Sequence, residues 1–137
     1  MPIRNIPLLG NGDFKRPCLP IKIINPHTAQ SLKTIALVDT GADECAIPAR
    51  IAPLLGHNLS LGSPNHSSTA GGVVNSYSHT TRIEIYNFED ILLHTINDIP
   101  IDYMEGLPVP LLGVKHFLDQ FDLHILYPKK IFSIQWP

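Results

Sequence analysis

Thirteen prolines and nine glycines divide 137 residues into short apolar runs, and that punctuation is the strongest constraint on the fold. Proline removes a backbone donor and glycine weakens any regular element, so long helices and helical bundles are excluded. What remains between the breaks reads as strands. In Leu19 to Asn25, Ile21 and Ile23 share one face and Lys22 takes the other. Leu32 to Val38 ends in a continuous apolar run, as a buried central strand does. Thr81 to Phe88 alternates Ile83 and Ile85 with Arg82 and Glu84. Ile91 to Ile96, Leu123 to Tyr127 and Ile131 to Trp136 complete the set, with Phe132, Ile134 and Trp136 on one face of the last. Helix is confined to Val114 to Phe121, where Phe117, Leu118 and Phe121 form a stripe, and to a turn or so around Ala49 to Leu55, interrupted by Pro53. Gly62 to Gly72 is polar and small, and reads as a mobile loop or hairpin tip. The expectation is one all-β domain, residues 1–137, with one short C-terminal helix.

The balance of charge narrows the function. A net charge of -2 provides no basic footprint for nucleic acid and no acidic tail. No run of about 18 apolar residues offers a membrane span, and the first residues do not form a secretion signal. Cys18 and Cys45 are too far apart in sequence, and too few, to form a disulfide scaffold, and read as buried thiols in a reducing, cytoplasmic setting. Seven histidines include no His-x3-His pair and no Cys/His cluster: His57, His66 and His79 lie in or near the polar stretch, and His94, His116 and His124 on separate elements. No metal and no cofactor is expected. Ser67 and Ser76 lack the Gly-x-Ser-x-Gly context of a serine nucleophile.

One segment carries chemistry. Ala36-Leu37-Val38-Asp39-Thr40-Gly41-Ala42-Asp43 places a carboxylate directly after a buried strand, followed by a hydroxyl and a glycine. An isolated ionised Asp is costly to bury, so its place at a strand end needs a reason. Two readings stand on these residues alone: an Asp-Gly turn closing the strand, or a catalytic acid aimed by that turn. The tripeptide apolar-apolar-Gly also recurs, at Leu8-Leu9-Gly10, Leu54-Leu55-Gly56 and Leu111-Leu112-Gly113.

LVDTGAD resembles the active-site signature of the retropepsin-like aspartic proteases. Cys45-Ala46-Ile47 resembles the short apolar strand after the family's active-site turn, and Thr69-Ala70-Gly71-Gly72-Val73 its glycine-rich flap. Leu111-Leu112-Gly113 with Val114 to Phe121 is similar to its apolar-apolar-Gly segment and C-terminal helix. The likeness spans residues 19 to 136 in order. It implies a closed barrel-like acid protease fold with one lobe per chain, and an aspartic endopeptidase acting on extended polypeptides without a cofactor. Asp39 is then the catalytic acid/base, with Thr40, Gly41 and Ala42 supporting the turn. Gly41, Asp43, Ala46, Gly71, Gly72, Val73 and Leu111 bind substrate. Asp98, Asp102, Asp119 and Asp122 lack the Thr-Gly turn, and Asp43 and Glu44 are too near in sequence, so the second carboxylate comes from another copy and the active form is a symmetric homodimer. The terminal strands, Ile3 to Leu8 and Ile131 to Trp136, are candidates for an intersubunit sheet. The family's arginine after the second glycine is absent, and Val114-Lys115-His116 stands there, with lysine lacking the planar guanidinium fork. The alternative function is a retropepsin-like dimer that binds peptides or partners without cutting.

Overall fold

The computed structural model describes residues 3–10, 15–69 and 72–135, with side chains from 6–10, 15–66 and 72–135. Ten strands follow the chain: β1 (Ile3–Pro7), β2 (Cys18–Ile24), β3 (Ser31–Val38), β4 (Ala46–Pro48), β5 (Ser63–Thr69), β6 (Gly72–Tyr86), β7 (Leu92–Met104), β8 (Leu111–Leu112), β9 (Asp122–Leu126) and β10 (Ile131–Gln135). Six of them pair in the ring β2-β3-β8-β4-β7-β6, closed by β2 against β6, while β5 lies outside on β6. Closure brings Ile21 opposite Ile85 and Ile23 opposite Ile83. A second sheet orders β1-β10-β9.

Alternation decides the core. Leu19, Ile21 and Ile23 of β2, Ala36 and Val38 of β3, and Ile83 and Ile85 of β6 all point inward and are buried. Ile47, Leu55, Tyr103, Leu112 and Phe117 fill the remaining interior. Each fully buried large aliphatic side chain contributes about 1.5–3 kcal/mol, so the barrel rests mainly on these side chains. Tyr103 is the one large core residue with a polar end, and its hydroxyl meets Thr81 Oγ1 at 2.8 Å. Burial pushes the Tyr103 phenol up to about 12, so it stays neutral and hydrogen-bonded. Phe132 and Ile134 share the inner face of β10 with Ile6 and Leu8 packed in the same core. Trp136 lies outside the described residues.

Three expectations need correction. The polar stretch from Gly62 is β5, a strand in register with β6 from Ser63 opposite Ser78 to Thr69 opposite Gly72. Its pairing runs through backbone groups, and Ser63 to His66 are exposed, so no hydrophobic signal marks the strand. The strands expected at 81–88 and 91–96 belong to the longer β6 and β7, whose pairing continues to Ser76 opposite Met104. The helix expected over 114–121 is shorter: turns at 114–117 lead into a 3-10 helix at Leu118–Gln120. His116 adopts φ 69°, a left-handed conformation that no α-helix accommodates. In the second sheet β10 pairs with β1 on one side and β9 on the other, and β1 has β10 alone as its neighbour among the described residues.

Candidate active site

Asp39 sits where β3 leaves the barrel. Val38 is buried, and the pairing continues one residue further, with the Asp39 N–H donating to the Leu112 carbonyl at 3.0 Å. The chain then turns on itself. The Gly41 N–H donates to Asp39 Oδ1 at 2.9 Å, and the Ala42 N–H to the Asp39 carbonyl at 3.2 Å. A carboxylate that accepts from the backbone two residues on is an Asx-turn, so Asp39 is oriented by its own loop. A Cβ on Gly41 would lie 3.3 Å from Asp39 Oδ1. Close approach to the carboxylate, not a left-handed backbone, is what glycine provides here.

A second segment clamps this turn from behind. Leu111 and Leu112 pair in parallel with Leu37 and Val38, and Leu111 also faces Ala46 of β4. Beyond them the Val114 N–H donates to the Ala42 carbonyl and the Lys115 N–H to the Asp43 carbonyl, both at 2.9 Å. Gly113 lies between: a Cβ there would come within 2.7 Å of the Ala42 carbonyl oxygen and closer still to that of Glu44. The apolar-apolar-Gly motif at 111 thus has a physical reason. Two leucines anchor the sheet, and glycine lets two backbones touch.

The expected site residues fall as follows. Thr40, Gly41 and Asp43 are exposed, Asp39, Ala42 and Leu111 half-buried, and Ala46 buried in β4 between Asp102 and Leu111. Gly72 and Val73 open β6 after the hairpin, Gly72 at φ 114° and Val73 at 70% exposure. Gly71 lies outside the described residues. Lys115 reaches Glu44 at 3.5 Å, both side chains more than half exposed. Lacking a guanidinium fork, it braces the turn through its backbone N–H instead.

Other carboxylates have partners elsewhere. Asp98 takes both arms of Arg82 at 2.9 and 3.0 Å, Asp102 accepts from Ser78 and Asn65, and Glu84 accepts from the Tyr86 hydroxyl. Burial raises the Cys45 thiol to about 11, with nearby Asp119 and Glu44 acting in the same direction and a backbone bond at Gly113 opposing it. Burial also raises the Cys18 thiol, so neither is an activated nucleophile. His57 and His79 stack at 4.5 Å between ring centroids, and each meets Tyr103 edge-on. Among the described residues no cluster of three metal-ligating side chains occurs, and no helix is long and apolar enough to cross a membrane.

Two cavities flank the turn, and Asp39 lines neither. One of about 440 Å³ lies between Glu44, Cys45, Asn65, Ser78, Asp102 and Lys115. The other, about 320 Å³, is walled by Leu9, Cys18, Ile35, Leu37 and Val109, with Arg16 beside it. Leu37 connects that apolar groove to Asp39, two residues away. Sequence reasoning missed this wall. The period-2 alternation of β3 carried the signal, because burying Ala36 and Val38 turns Ile35 and Leu37 outward.

Among solved structures the chain is similar to a retropepsin-like aspartic protease from Rickettsia conorii, at 20% sequence identity and a TM-score of 0.63, covering 93% of this chain and 94% of that one. It is also similar to EIAV protease complexed with the inhibitor HBY-793, at 22% identity and a TM-score of 0.46, covering 81% of this chain and 93% of that one. No family model matches the sequence, and no curated protein matches it. The chain has the retropepsin-like fold, as the first of these likenesses establishes. In this chain Asp39 lies in the turn from β3 to β4, against β8.

Proposed function

We propose that residues 1–137 form one aspartic endopeptidase domain that hydrolyses peptide bonds in extended polypeptides as a symmetric homodimer. The observation that carries this reading is the Asx-turn: Asp39 is held at a strand end by Gly41 N–H, in a loop clamped by Gly113. General acid/base hydrolysis needs two carboxylates sharing one proton; Glu44, Glu84, Asp98 and Asp102 have partners of their own, Asp119 and Asp122 lack a Thr-Gly turn, and Asp43 is too near Asp39 in sequence. The second Asp39 therefore comes from a second copy across a two-fold axis.

Chemistry then follows from repulsion between like charges. Two adjacent carboxylates cannot both ionise easily, so one keeps a proton and the pair titrates as a unit. The ionised Asp39 takes a proton from water, whose oxygen attacks the scissile carbonyl carbon. The protonated Asp39 gives its proton to the carbonyl oxygen. Collapse of the tetrahedral intermediate transfers a proton to the leaving nitrogen and restores the pair. No cofactor is required.

The neighbouring residues divide the remaining work. Thr40 ties the two turns together across the axis, and Ala42 holds each turn through its backbone. The Gly41 N–H is already committed to Asp39, so its carbonyl is the group that accepts from the substrate backbone, with Asp43 further along. Gly71, Gly72 and Val73 belong to a flap, the β5–β6 hairpin, which closes over the peptide and excludes water. Ala46 and Leu111, paired across β4 and β8, are the pocket residues beside the turn.

Incubating the purified protein with denatured polypeptides between about pH 4 and pH 7, beside Asp39→Asn, tests this reading. Cleavage by the wild type only, with specific activity falling on dilution, is expected. Cutting by both forms, or by neither at any concentration, refutes it. Binding without cutting establishes the non-catalytic peptide-binding dimer instead.

A further inference from the structure

We infer that Arg50 is a positioning residue that sets the substrate preference of the site, by holding the Leu107–Val109 segment that walls the apolar groove next to Asp39. The inference rests on the protease reading above and extends it to a residue far from the motif in sequence.

The segment is short of fixings of its own. Before it, the Glu105 N–H donates to the Asn75 carbonyl at 3.1 Å, and after it the Pro110 carbonyl accepts from the Leu37 N–H at 2.9 Å. Between these anchors Pro108 has no N–H to offer, and Gly106 at φ 77° turns the chain outward. Arg50 fills the gap. Its Nη1 donates to the Leu107 carbonyl at 2.8 Å and its Nη2 to the Pro108 carbonyl at 2.7 Å. Both bonds are charge-assisted, and two successive carbonyls are gripped by one planar fork, a geometry that lysine cannot reproduce.

The consequence reaches the groove directly. Val109, next in sequence, lines the 320 Å³ groove with Leu37 and Ile35. Arg50 itself lies in the 3-10 helix Ala49–Leu55 that follows β4, the strand entered from the catalytic turn. A single closed path therefore links Asp39, β4, Arg50, the Val109 wall and β8, whose Leu112 accepts the Asp39 N–H. Substrates fitted by this wall carry a bulky aliphatic side chain beside the scissile bond, and Arg50 keeps the wall in place without touching them.

The experiment pairs amide hydrogen exchange over residues 105–110 with kinetics on two peptides that differ only in Leu against Ala beside the cut. Uncleavable isosteres of the same peptides measure affinity. For Arg50→Ala, exchange at Glu105, whose N–H anchors the start of the segment on the Asn75 carbonyl, is expected to quicken while β2 and β3 stay protected. The preference for Leu is expected to fall about tenfold, through KM with kcat held. Arg50→Lys, which offers a point charge instead of a fork, is expected to lie between. Unchanged exchange, or faster exchange with the preference intact in either kinetics or isostere affinity, overturns the inference. A wild type that neither cuts nor binds either peptide instead overturns the protease reading, and this inference with it.

Discussion

Replacing Gly113 by alanine tests the idea that the apolar-apolar-Gly motif exists to let one backbone press on the Asp39 turn. The added Cβ would lie 2.7 Å from the Ala42 carbonyl oxygen, and nearer to that of Glu44. Ordinary contact begins at 3.4 Å, and both neighbours are backbone, so neither can swing aside. The turn must retreat by about 0.7 Å or more to restore contact distance. Overpacking of this kind costs about 1–3 kcal/mol. Stretching the bonds from the Val114 and Lys115 N–H groups costs about 1 kcal/mol more each if they break. With both bonds lost the total is about 3–5 kcal/mol, a fall in Tm of roughly 10–20 °C for a chain of this size. Gly106→Ala is the comparison: φ is 77° with nothing within 4 Å, so only the left-handed backbone is penalised, at about 1–2 kcal/mol. Thermal unfolding of the two variants separates crowding from backbone strain. The folded fraction of Gly113→Ala should also lose most peptide cleavage, because a shift of about 1 Å at a reacting group costs on the order of a hundredfold. A Gly113→Ala protein with wild-type Tm and activity refutes the clamp.

Two other perturbations have determinate signs. Lys115→Ala removes an ion pair whose partners are both more than half exposed, so unfolding free energy should change by less than about 0.5 kcal/mol, and cleavage should survive because the backbone N–H remains. His57 is held below its ordinary value of 6.5, first by burial and then by the charges of His79 and His27. Its Nε2 is buried without a partner. The neutral ring is therefore the folded form. Its stabilising contribution is complete above about pH 6.5 and is lost as pH falls towards the lowered folded value, because the unfolded chain takes up the proton first. Denaturant titrations across that window should show a steeper loss of stability on acidification for the wild type than for His57→Leu. Equal slopes would remove His57 as the cause.

Much of this was legible in the residues themselves. Short-range alternation exposed the inward faces of β2, β3 and β6, because a period of two is written into any half-buried strand. Asp39-Thr40-Gly41 was also visible as a local pattern, since the Gly41 N–H meets Asp39 within the tripeptide, whereas Leu111-Leu112-Gly113 showed only as a recurring tripeptide. Other features were not. β5 is polar and pairs through its backbone, so nothing in Ser63 to Thr69 announced a strand. His116 breaks an apolar stripe that otherwise reads as a helix, because its left-handed backbone serves a chain path set by the clamp on Ala42 and Asp43.

The sequence by itself determined which residues face inward and where an acid follows a strand, because these depend on neighbours a few positions away. Tertiary structure alone decided what holds that acid and what surrounds it. Gly113 became a contact point only when β8 met β3 and β4. Arg50 found Leu107 and Pro108, more than fifty residues away, only once the barrel closed. Such pairings depend on how distant segments pack, and no local period encodes them.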